Sequence, residues 1–305
     1  MTKHKNIVFT LITAALFTAA LSFVFPKNKE KYLADMFWTR KTFSSSNKNV
    51  VLMGDSRVYR GLSPDAMQNI LPHLKLLNFA YSNGGLNAEM FLAAEQKITK
   101  TDDAKVIVLG ITANTLTDFT NNNTQYVQEL NRPREEILER LYLNPVSYWF
   151  SATTPEQLIS WFSAKKDTSE NYYLSNYNMN GYVESDKFPI DTTEAIASYT
   201  KDFSNYQVDD AHLKGLFSQV KTWTEKGITV LAFRPPVSEP MVELENKMGL
   251  YDESKISEGI RNAGGYWIHL DNSQYLTYDG SHVDRPSAEK LSQQIALKIK
   301  ELTGN

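Results

Sequence analysis

The 305-residue sequence predicts an α/β protein built on a five-stranded parallel sheet, and three observations predict it. Five short runs, 50–53, 74–79, 105–109, 228–233 and 266–270, are nearly continuous in apolar residues, as strands covered on both faces are. The segments between them carry apolar residues at helical spacing. Strand and helix alternate along the chain, which favours parallel strands joined by helical crossovers.

Taken in order, the elements begin with an unusual N-terminus. Lys3 and Lys5 precede an uncharged apolar run over 7–25 that stops at Pro26. About 20 apolar residues span a bilayer as a helix. A cleaved leader has a shorter core and small residues at the cleavage site. This run ends in Ser22-Phe23-Val24-Phe25, bulky where cleavage wants small. Residues 1–26 therefore read as an N-terminal membrane helix, an uncleaved signal anchor. Lys27, Lys29 and Lys31 after the span blunt the charge asymmetry that sets orientation. A very short segment ahead of a first span is expected to stay inside, which puts the body on the extracytoplasmic side. Residues 27–47 run into SSSNKN (44–49) and read as a linker with one amphipathic turn around 32–38.

Residues 48–305 read as one domain. The first strand stops at Gly54-Asp55-Ser56. Ser63-Pro64-Asp65 has the form of an N-cap followed by proline at the first helical position. Apolar residues recur at helical spacing over 86–98. A section over 119–208 then breaks the alternation and reads as a helical insertion between the third and fourth strands. It holds PREEILERLYL and a tyrosine-rich NYYLSNYNMNGYVE. Long insertions at the active-site end of α/β folds build binding walls. The aromatic rings here either stack on sugars or pack the insertion onto the core. Leu213, Leu216, Phe217, Val220 and Trp223 mark a further helix that Gly227 would end. Ala288, Leu291, Ile295, Ile299 and Leu302 form the stripe of the last one.

Composition excludes several classes of function. The formal net charge of −3 provides no global basic field for nucleic acid. The absence of cysteine removes disulfides, thiolate nucleophiles and cysteine metal sites. The DGSHVD stretch offers Asp279, His282 and Asp284, but no partner histidine or carboxylate cluster joins them, so no metal is expected. No other cofactor is expected either.

The chemistry concentrates at strand ends. Ligands of open parallel sheets sit beyond the carboxyl ends of the strands, and Ser56 lies just past the first. A serine nucleophile needs a base, and the base needs a carboxylate to orient it. The chain has five histidines: His4, His73, His212, His269 and His282. Only His282 falls in a turn-rich loop, TYDGSHVDRPS, between the last strand and the last helix. Asp279 precedes it by three residues, close enough to reach the same imidazole across a tight turn.

The GDS at the first strand end, together with Asp-x-x-His before the C-terminal helix, resembles the SGNH (GDSL-type) hydrolase superfamily. The resemblance covers about 49–305 without the insertion. It implies a flavodoxin-like three-layer sandwich, with Ser56 as nucleophile, His282 as base and Asp279 as its carboxylate. It also implies an oxyanion hole of backbone and amide donors. Gly84 or Gly85, in NFAYSNGGLN, stands near the family's second-block glycine. Gly110 fits the third block, but the first asparagine after it, Asn114, comes two residues late. Either the loop presents the Asn114 amide or Thr112 occupies that space.

Arg57, Arg60 and Arg234 lie near the same sheet end. Arg57 and Arg234 either receive an anionic substrate, such as a phosphate-rich or uronic-acid glycan, or pair with acids such as Asp55 or Glu239 to stiffen the loops. Two functions remain. The first is an extracytoplasmic serine esterase or O-acyltransferase. It would act through an acyl-enzyme on acyl groups, acetyl above all, of an envelope or secreted polysaccharide. On this reading the protein is a single-pass protein of a bacterial inner membrane, with its body in the periplasm and a carbohydrate or acylated small molecule as its substrate. The second is an SGNH-fold binding or assembly protein of the cell envelope without the reaction. The altered asparagine block permits the second, and the complete Ser–His–Asp set favours the first.

Overall fold

The computed structural model describes residues 2–24, 29–101, 103–144 and 171–304. The chain divides into two compact units, 1–40 with 132–170, and 41–131 with 171–305.

In the first unit the chain is helical over Thr2–Val24. Among the described residues no helix is long and apolar enough to cross a membrane. The expected span over 7–25 runs partly outside the described residues. Residues expected as linker form a helix over Lys29–Thr42, which crosses the boundary between the units.

The second unit holds the sheet. Its strands are β1 (Val50–Met53), β2 (Leu76–Asn78), β3 (Val106–Gly110), β6 (Thr229–Phe233) and β7 (Tyr266–Ile268). They are all parallel, in the order β2-β1-β3-β6-β7. Every residue of β1, β2 and β3 is buried, which explains their continuous apolar runs. Each strand lies within two residues of its expected position. This is the doubly wound order in which the chain reverses direction between β1 and β3, and ligands bind where it reverses.

Two groups of helices pack as right-handed crossovers on both sides of such a sheet require. Ser56–Gly61, Pro64–Gln68 and the C-terminal Arg285–Thr303 pack together, as do Ala88–Glu95, Asp210–Glu225 and Glu253–Asn262. Ser63 caps Pro64–Gln68 by accepting from the Ala66 N–H at 3.3 Å, as its sequence predicts.

The region expected as a helical insertion holds an antiparallel hairpin as well as helices. Its strands are β4 (Tyr172–Tyr177) and β5 (Val183–Phe188), and β5 packs on the helix Ser56–Gly61. The tyrosine-rich stretch is this hairpin. Its aromatic side chains differ in burial: Tyr182 is buried, while Tyr172 and Tyr173 are more than half exposed.

Candidate active site

β1 ends at Gly54 because nothing larger fits there. A Cβ on Gly54 would lie 2.5 Å from the Val58 side chain and 2.8 Å from the Gly110 carbonyl, and its φ is +148°. The chain can therefore leave β1, pass close to the end of β3 and enter the helix Ser56–Gly61 at once. Asp55 fixes that turn. One carboxylate oxygen accepts from the Arg57 N–H at 3.0 Å, capping the helix, and the other accepts from the Thr112 hydroxyl at 2.7 Å. Ser56 opens the helix, so its N–H has no acceptor within it.

The loop after β7 meets this turn. Asp279 Oδ1 accepts the backbone N–H groups of Ser281 at 2.8 Å and His282 at 2.7 Å, and its Oδ2 lies 2.7 Å from His282 Nδ1. Gly280 supplies the left-handed φ of +87° that the turn needs, with the Thr192 carbonyl too close to allow a Cβ. His282 Nε2 lies 2.8 Å from Ser56 Oγ. The tautomer follows from these contacts. Burial alone would push the Asp279 carboxyl up. The hydrogen bond and charge of His282, with the two backbone donors, outweigh it and hold the group at about 2. The carboxylate only accepts, so the imidazole proton sits on Nδ1 and leaves the Nε2 lone pair facing the Ser56 hydroxyl. The Tyr278 ring stacks on the imidazole at 5.8 Å and 15°.

The expected oxyanion donors fare differently. Asn114 begins a 3-10 turn and is 3% exposed. Its carbonyl accepts from the Thr117 and Thr120 hydroxyls, so the backbone is pinned. Its side-chain amide has no hydrogen-bond partner among the described residues. Gly84 lies against the Gly54 carbonyl, but its N–H donates to the Tyr81 carbonyl at 3.1 Å. Gly85 donates to Asn123 Oδ1 at 2.7 Å. The glycine block is thus a packed turn whose donors are already used, which corrects Gly84 as an oxyanion donor. Thr112 does not replace Asn114 either, because its hydroxyl is committed to Asp55. Among the described residues the Ser56 N–H and the Asn114 amide remain without an acceptor, as does the buried Arg57 Nη2.

Arg57 and Arg234 are also corrected. Both are buried, and both bind Glu245, which is fully buried between them. Arg57 Nη1 lies 2.5 Å and Arg234 Nη2 2.7 Å from the Glu245 carboxylate, and Glu253 lies 3.6 Å from Arg234. Glu239, expected as a partner, is not the acid used. Arg57 also donates through Nε to Ser281 Oγ at 3.0 Å and faces the Tyr199 ring at 5.1 Å. Burial would push the Glu245 carboxyl up, and the two guanidinium groups hold it below its ordinary range. These arginines join the serine turn to the histidine loop and do not face open solvent.

Sequence reasoning missed Glu245, although a signal exists. Glu245 stands four residues after Met241 on the helix Glu239–Lys247, and both are 0% exposed. An acid on the apolar stripe of an amphipathic helix announces a buried cation. Among the described residues no group of acids, histidines or cysteines is arranged to hold a metal.

The second unit is therefore a doubly wound α/β sheet with a Ser–His–Asp hydrogen-bond relay beside its switch point. No family model and no curated protein matches the chain. Among solved structures it is similar to a Streptococcus pneumonia protein provisionally described as a platelet activating factor. The identity is 13%, over 93% of this chain and 99% of that one, with a TM-score of 0.35.

Proposed function

We propose that the protein is an SGNH-type serine hydrolase or acyltransferase that removes or moves acyl groups through an acyl-enzyme. The observation that carries this reading is the unbroken relay from Ser56 Oγ through His282 to Asp279, with contacts of 2.8 and 2.7 Å. Ser56 Oγ attacks the ester carbonyl as its proton passes to His282 Nε2. Asp279 stabilises the imidazolium, and the Ser56 N–H and Asn114 amide donate to the oxyanion. The tetrahedral intermediate collapses, the ester C–O bond breaks, and the leaving alcohol takes the proton from His282. Water or a sugar hydroxyl then gives its proton to His282 and attacks the acyl-enzyme, and Ser56 leaves with that proton. On this reading the substrate is an acyl group, acetyl, carried by an envelope or secreted polysaccharide. The uncharged apolar run over 7–25 is the sequence feature behind the proposed anchor, and an extracytoplasmic body is part of the same proposal.

The test is p-nitrophenyl acetate turnover by the full chain beside Ser56→Ala and His282→Ala. Each variant is expected to lose at least ~1,000-fold in kcat. Equal turnover in all three, or a Ser56 that no fluorophosphonate labels, would sink the proposal.

One observation favours a second reading, an SGNH-fold binding or assembly protein of the cell envelope. The glycine block donates inward, so the oxyanion hole has fewer donors than the family pattern implies, and one donor commonly contributes about 100- to 1,000-fold in turnover. An inert but correctly folded wild type would favour this second reading.

A further inference from the structure

Arg60 differs from the other two arginines near the site. It stands four residues after Ser56 on the helix Ser56–Gly61, so the two side chains share one face, with Cβ atoms about 6 Å apart. Its partners are neutral: hydroxyl groups, and the Tyr59 and Tyr173 rings at 5.3 and 5.8 Å. Nη1 donates to Tyr173 at 2.5 Å, Ser185 at 2.7 Å and Tyr278 at 3.2 Å, and Nε donates to Tyr59 at 3.3 Å. Among the described residues no carboxylate lies within ion-pair distance of it. Its Nη2 has no partner among them, and it is not sealed in the interior.

A cage of phenols and a serine fixes the direction of a guanidinium without neutralising it. Arg57 and Arg234 show the alternative, a shared buried carboxylate. The charge of Arg60 thus remains available, with two N–H groups in the planar geometry that oxyanions match. Its position relates it to the chemistry, because the Tyr278 that binds Nη1 also stacks on His282. Tyr173, on the other side of Nη1, is 54% exposed, so the cage opens outward.

We propose that Arg60 is a substrate-binding residue that receives an oxyanion, carboxylate or phosphate, carried by the acylated substrate. The assignment rests on the acyl-transfer reading for the identity of that substrate, and makes it an acidic carbohydrate.

The test is equilibrium binding of three sugars to the full chain at low salt: D-galacturonate, D-galactose 6-phosphate and neutral D-galactose. At least one charged sugar is expected to bind ~10-fold or more tightly than galactose, as a charge-assisted contact allows. Which one does so distinguishes a carboxylate from a phosphate source. The advantage should disappear in Arg60→Gln, persist in part in Arg60→Lys and shrink as salt rises. The proposal is overturned if galactose binds as tightly as both charged sugars, if none of the three binds, or if Arg60→Gln keeps the preference. The wild-type comparison stands even if Arg60→Gln does not fold. Charge preference without p-nitrophenyl acetate turnover keeps the anion site and removes the hydrolase reading. Turnover without charge preference does the reverse.

Discussion

Asp279 accepts three hydrogen bonds, two from backbone N–H groups and one from the imidazole. Replacing it with asparagine keeps the volume and puts an NH2 group or a neutral carbonyl where the imidazole proton points. We expect Asp279→Asn to lower kcat by about 10³- to 10⁴-fold with a smaller change in KM, measured on p-nitrophenyl acetate. Because the carboxyl is held at about 2, loss of turnover between pH 7 and 4 cannot come from its protonation. Gly54 is the second residue whose identity is forced. Gly54→Ala brings a methyl within 2.8 Å of the Gly110 carbonyl, so β1 or β3 must move. A loss of about 1–3 kcal/mol is expected from overpacking of this kind, read from the urea midpoint. At this scale the sequence was informative. Ser56, Asp279 and His282 were legible because a three-residue turn and a strand end each have local signatures. Gly84 was misread because the direction of an N–H depends on a turn that its neighbours impose.

The helix Glu239–Lys247 shows what happens between elements. Its Glu245 neutralises arginines from two other segments, the serine turn and the end of β6, and Arg57 in turn binds the histidine loop through Ser281. Glu245→Gln would leave Arg57 buried without a paired carboxylate and Arg234 with only the longer contact to Glu253. Removing one partner of a buried ion pair typically destabilises by about 3–5 kcal/mol, and a loss of that size should appear in urea unfolding. An Arg57→Met, Glu245→Met, Arg234→Met triple variant is expected to recover much of it, because apolar residues of similar volume leave no uncompensated charge. The strands of the main sheet were legible because each is a short apolar run. The hairpin β4–β5 was not, because its first strand carries two half-exposed or exposed faces and so lacks a clean apolar alternation.

The second compact unit contains the whole sheet and every residue of the proposed site. Its acid stability draws on the two site carboxyls held below their ordinary range, Asp279 at about 2 and Glu245 in the same direction. Between their folded values and the ordinary ~4, the unfolded chain binds more protons than the native one. Their contribution is therefore fully present above about pH 4 and is lost as pH falls toward the folded values. Urea midpoints at pH 6, 4 and 3 should fall in that order, and Asp279→Asn should flatten the slope below pH 4. A midpoint independent of pH over this range would contradict the assignment.

The sequence by itself determined the α/β alternation, the five strands and the three residues of the relay. Each of these depends on a period, a turn or a short motif that neighbouring residues write locally. Tertiary structure decided which donors stay free and which arginines are paired with a carboxylate. Gly84 and Gly85 spend their N–H groups on acceptors within the fold, Arg57 and Arg234 share a glutamate distant in the chain, and Arg60 donates to hydroxyls and lies over tyrosine rings. The physical reason is that a hydrogen bond or an ion pair is a property of two groups. When the second group comes from a segment far along the chain, only the fold brings the two together.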